Sequence, residues 1–226
     1  MDGASISAAA IRAPELFNFT DQNGQPSYGG NQTWYATEWQ RRAGCGPTVF
    51  AHLIWYMART REKCAPLCPY AGADFDCFLR LMEDAWRYVT PGMQGVNRTG
   101  MFTDGARVYG AERNVPLMTH VWEVPLLAGK RPQLETTAEF ITRFLAADLP
   151  VAFLNLSNGL LTNLDSWHWV TIVAYEPAGH IATMYDQSRS EAIDLSLWLR
   201  TTAFGGGFVA LAPPPPPSLE FRQPDC

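Results

Sequence analysis

Charge of one sign is what this chain most clearly lacks. Its 226 residues carry 17 Lys and Arg against 22 Asp and Glu, a net charge of -5 with a pI near 5.3. That balance gives no reason to expect a nucleic-acid partner or an anionic membrane surface. No apolar run approaches the ~20 residues needed to span a bilayer. Met1 to Ala10 holds neither a basic stretch nor a hydrophobic segment, so a secretory signal is not expected and the cytoplasm is the expected compartment. Cysteine is scarce and odd in number, five in all, which argues against a fully paired disulfide scaffold. The Gly-x-Ser-x-Gly elbow, the phosphate loop ending in Gly-Lys-Ser/Thr and the His-Glu-x-x-His metal motif are all absent. So are internal repeats.

What remains is a chain long enough for one substantial core or two small lobes, 47% hydrophobic and 12% aromatic. Residues 1–30 read as an irregular N-terminal segment, with turn formers at Asp21-Gln-Asn-Gly24 and Gly29-Gly30. Thr48 to Met57 is apolar almost all round, as a core helix is, and Pro47 is tolerated in its first turn. Asp74–Val89 and Phe102–Ala111 show helical periodicity, and Thr136 with Glu139 forms a capping-box signature for a helix running to about Asp148. Strand-like runs follow at Val151–Leu156, Trp167–Tyr175, Ile181–Tyr185 and Phe208–Leu211, with Asp194 as cap of a further helical turn through Leu199. Helices first and strands later predict an α+β fold. Gly205-Gly206-Gly207 reads as a tight turn before the last strand. Pro213 to Pro217 predicts a stiff polyproline extension, so residues 213–226 form a proline-rich tail.

Chemistry concentrates at Cys45, in Gly44-Cys45-Gly46-Pro47-Thr48 at the start of the apolar helix. A helix N-terminus favours a thiolate over the ordinary thiol, whose pKa is ~8.5. The flanking glycines are expected to leave room for a substrate carbonyl. His168 opens a strand between two tryptophans, where a general base is well supported, and Asp186 follows the next strand, placed to accept the second imidazole N–H. His52 reads as a satisfied core histidine, and His120 and His180 fall in no constrained pattern. Cys64-x3-Cys68-x8-Cys77 offers three thiolates with no fourth ligand nearby, so these are read as ordinary thiols, with neither metal nor cofactor expected.

The run Gly44 to Thr48 before an apolar helix, then His168-x-Val-x-Ile-Val, then Asp186, resembles the papain-like cysteine peptidases. It is most similar to the bacterial branch of the double-glycine leader peptidases. The resemblance covers Asn31 to Leu211, with 31–212 as the catalytic domain. It implies a nucleophile on a central helix and its partners on an antiparallel sheet. Cys45 would be the nucleophile, His168 the base and acid, and Asp186 the orienting carboxylate, acting on a peptide or protein substrate. The same groups would serve an acyltransferase or a deamidase, and a non-catalytic peptide-binding protein could retain the fold. The family also carries an oxyanion-binding glutamine ahead of the cysteine. The familiar spacing of six falls on Trp39, so Gln40 is favoured by proximity, with Gln32 open. Trp34, Trp167 and Trp169 are candidate pocket walls.

Overall fold

Every residue from Cys45 to Met57 is buried, so the longest apolar run becomes the axis of the molecule. The computed structural model describes residues 6–214. In chain order its elements are β1 (Ala9–Ala10), β2 (Asn18–Thr20), β3 (Pro26–Tyr28), α1 (Glu38–Ala43), α2 (Cys45–Thr60), α3 (Phe75–Trp86), α4 (Thr99–Glu112), β4 (Met118–Val124), α5 (Leu134–Ala146), β5 (Val151–Asn155), β6 (His168–Glu176), β7 (Ile181–Asp186), β8 (Arg189–Asp194), α6 (Leu195–Thr201) and β9 (Gly206–Ala212). The class is α+β. The seven-stranded sheet runs β4-β9-β5-β6-β7-β8, with β1 added beside β6, and every pairing in it is antiparallel.

β6 is the structural centre of that sheet. His168 to Val173 are all buried, so both sets of alternating side chains are covered, and α2 and α5 are the helices packed against it. β5 pairs with His168–Ile172, and β1 takes the far end at Ala174 and Tyr175. Against β7 the register slips by one residue between Ile172 and Ala174, so β6 carries a one-residue bulge at Val173.

Several local expectations need correction. Residues 1–30 are not irregular throughout: they supply the β1 edge strand, the β2–β3 hairpin and a 3-10 turn at Pro14–Phe17. Their backbone is tied down, since the Arg12 and Ala13 amides both donate to the Tyr56 hydroxyl at the end of α2. The Thr136–Glu139 pair does not cap α5. That helix begins at Leu134 after Gln133, and the Thr136 hydroxyl donates back to the Gln133 carbonyl. β4 and β8 escape the apolar-run reading because they are the two edge strands and carry mostly polar or exposed residues. Of the polyproline tail, only Pro213 and Pro214 fall within the described residues. No described helix is long and apolar enough to cross a membrane.

Candidate active site

Cys45 is the first residue of α2, and Gly44 before it ends α1 and begins α2 at once. The glycines on either side are needed for packing. A Cβ on Gly44 would lie 2.6 Å from the Tyr35 ring and 2.5 Å from the Gln40 carbonyl, and one on Gly46 would lie 2.8 Å from Val96. The helix start is therefore wedged against its neighbours, and the Cys45 side chain is left 8% exposed.

His168 enters β6 straight after Trp167, which has a left-handed φ of 57°. Asp186 ends β7 at a two-residue hairpin in which Gln187 and Ser188 both have positive φ, the geometry that suits the twist of paired strands. Extending the Thr171–Tyr185 register by one step sets Asp186 across from Val170, diagonal to His168. There the His168 Nε2 and Asp186 Oδ1 atoms are 2.6 Å apart, and both residues are buried. Nε2 being taken by Asp186, Nδ1 is the ring nitrogen available to sulfur. Burial alone disfavours the imidazolium. The hydrogen bonds to Asp186 and Cys45, with the negative charge of both partners, overcome that cost and raise the His168 pKa to about 10. The fold thus brings Cys45, His168 and Asp186 to the lining of one small internal space.

The glutamine is the main correction. Gln40 lies in α1 as part of its cap: it closes a capping box with Thr37, and its Nε2 donates to Glu83 Oε2 at 2.7 Å. It does not reach Cys45. Gln32 does line the small internal space shared by Cys45, His168 and Asp186. It sits in a one-turn 3-10 helix whose start is capped by the Asn31 side chain, and its Nε2 donates one hydrogen to the Arg41 carbonyl at 2.8 Å. The six-residue α1 intervenes, which is why the glutamine–cysteine spacing is long. Two buried oxygens lining this space, Gln32 Oε1 and Thr48 Oγ1, have no hydrogen-bond partner among the described residues. Buried polar atoms in that condition are uncommon away from sites that bind something.

Beside the thiol lies an open cleft of about 350 Å³, lined by Cys45, Trp39, Arg42, Met93, Gly95 and Trp167. Its apolar walls stand in water: Trp39 is 47% exposed, Trp167 50% and Met93 98%. The Arg42 side chain makes no hydrogen bond or ion pair among the described residues. Of the three tryptophans expected as walls, Trp167 lines this cleft, Trp169 lines the small internal space with Cys45 and His168, and Trp34 lines neither. Trp169 is buried against Phe102, and Trp34 packs on Phe75.

The other described thiols stand apart from this arrangement. Cys64 and Cys77 are buried, Cys68 is half-buried, and all are free. Among the described residues no group of three His, Cys, Asp or Glu side chains could hold a metal ion. No family model matches the chain, and no curated protein is detectably similar to it.

Proposed function

We propose that the chain is a thiol hydrolase with a papain-like catalytic domain, cleaving an amide bond in a peptide or protein through an acyl-enzyme. One observation carries the reading: a buried imidazole bonded through Nε2 to a carboxylate at 2.6 Å, sharing one small internal space with a helix-start cysteine. A raised His168 pKa keeps the ring protonated, and an imidazolium beside a thiol favours the thiolate that nucleophilic attack needs. The Cys45 thiolate attacks the carbonyl carbon. The oxyanion that forms is met by the Cys45 amide and by the second Nε2–H of Gln32. His168 gives its proton to the leaving amine, then takes one from the water that releases the acyl group. Asp186 holds the ring in one tautomer throughout. The aromatic cleft beside Cys45 suits an extended peptide better than a small polar metabolite.

The test is site-resolved alkylation of Cys45 by iodoacetamide across pH in wild type and His168→Ala, followed by screening of amide substrates with Cys45→Ala as control. Reaction that persists at mildly acid pH and is lost in His168→Ala is the expected result, together with hydrolysis that Cys45→Ala abolishes. Identical alkylation profiles in the two proteins would sink the proposal.

A further inference from the structure

Behind the nucleophile, on the same helix, is a second histidine that the mechanism above does not use. His52 lies seven residues along α2 from Cys45, is 1% exposed, and is enclosed by the rings of Phe17 and Phe78. Its two ring nitrogens bind two other elements of the site. The Gly30 amide lies 2.6 Å from Nε2. A backbone N–H can only donate, so Nε2 accepts and carries no proton. The neutral ring must then hold its hydrogen on Nδ1, which donates to Thr171 Oγ1 at 2.7 Å. Burial lowers the His52 pKa to about 3, so this tautomer persists wherever the protein is folded at ordinary pH.

The elements so joined are the ones that carry the chemistry. α2 bears Cys45. Thr171 is three residues after His168 on β6. Gly30 is two residues before Gln32, in a loop that has little freedom of its own. Gly29 has a left-handed φ of 76°, and a Cβ there would lie 2.7 Å from His52 Nε2. Its amide donates to the Phe17 carbonyl at 2.7 Å. After Gly30, Asn31 accepts from the Thr33 amide and donates to Ser188 at the tip of the hairpin that presents Asp186. Gln32 is therefore set by a loop whose inner edge rests on one imidazole.

We propose that His52 is a positioning residue for the oxyanion side of the site, fixing Gln32 through the Gly30 amide while anchoring the loop to the strand of His168. The proposal rests on the hydrolase reading, and the two can fail separately. His52→Gln offers an acceptor near the place of Nε2 and keeps the Gly30 bond. His52→Asn offers a donor near Nδ1 and leaves Gly30 without an acceptor. Two probes divide the site. Iodoacetamide reports only the Cys45–His168 pair, because its reaction forms no oxyanion. The peptide aldehyde acetyl-Phe-glycinal forms a tetrahedral adduct with the thiol, whose oxygen needs the Gln32 side.

The expected result is that His52→Asn and Gln32→Ala each weaken aldehyde binding by about 100-fold. The double variant should be no weaker than either alone, because both remove one interaction. His52→Gln should retain most of the affinity, and alkylation should stay within about twofold of wild type in every variant. If His52→Asn does not fold, Gly29→Ala presses on the same ring from the loop side and should give the same split between probes. Aldehyde affinity equal to wild type in these variants, effects that multiply in the double variant, or alkylation that falls in parallel would each overturn the positioning role. Wild-type alkylation that ignores His168 would instead overturn the hydrolase reading, and this proposal with it.

Discussion

Replacing Asp186 by asparagine keeps the outline of the side chain and removes its charge. In the wild type the His168 imidazolium is held by a carboxylate and a sulfur strongly enough to move its pKa from the ordinary 6.5 to about 10. At ~1.4 kcal/mol for each tenfold change, that is on the order of 5 kcal/mol in favour of the protonated ring. Asp186 supplies one of the two hydrogen bonds and one of the two charges, so its neutralisation should cost roughly half, about 2–3 kcal/mol. The sign follows from linkage. A pKa raised on folding stabilises fully below pH 6.5, and that contribution is lost as pH climbs through 10. Urea unfolding followed by tryptophan fluorescence from pH 5 to pH 10.5 should therefore show a wild-type curve that declines above pH 6.5. The Asp186→Asn curve should start about 2–3 kcal/mol lower, decline by a smaller amount over a narrower range above pH 6.5, and meet the wild type near pH 10. In melting experiments at pH 6 the difference corresponds to ~5–10 °C for a domain of this size. A gap that stays constant across the whole pH range would show that Asp186 contributes shape and not charge, and would refute the ion pair.

The two glutamines should separate cleanly. Gln40→Ala removes a helix cap, costing about 1 kcal/mol of stability with hydrolysis and alkylation unchanged, whereas Gln32→Ala should cut hydrolysis by ~100-fold or more while sparing alkylation. Exchange of their effects would restore Gln40 to the site. The Arg42 guanidinium on the cleft, without a partner among the described residues, should favour acidic peptides: iodoacetyl-Phe-Glu-amide is expected to alkylate Cys45 a few-fold faster than iodoacetyl-Phe-Lys-amide, with the order reversed in Arg42→Glu. Equal rates in both proteins would remove Arg42 from substrate selection.

How much could be read in advance depended on how far the deciding contacts lay along the chain. α2 was legible because a helix apolar on every face has only one place to go. His168 and Asp186 were legible because each adjoins a strand whose β-branched pattern is strong. Gln32 was not, since its approach to Cys45 depends on α1, a short helix whose sequence, Glu38-Trp-Gln-Arg-Arg-Ala43, shows little apolar periodicity. Gln40 looked better on separation alone and is turned away by its own cap. The packing need for the glycines around Cys45 was not legible, because Tyr35 and Val96 crowd them from elsewhere in the chain. His52 was read as a satisfied core residue, and it is one. That its partners are Gly30 and Thr171 is a fact of tertiary structure that no local pattern encodes.

The bulge at Val173 makes chain length, as well as residue identity, a requirement at this site. On the near side of the bulge, removing one residue between His168 and Thr171 would shift His168 by one place along the ladder and turn its ring to the opposite face, away from Asp186, without changing either residue. A residue gained or lost in the turn between Glu176 and Ile181 leaves the count from His168 to Thr171 and from Tyr185 to Asp186 as it is. Insertions and deletions should therefore be tolerated in that turn and excluded a few residues upstream. The boundary between the two regimes falls at the bulge.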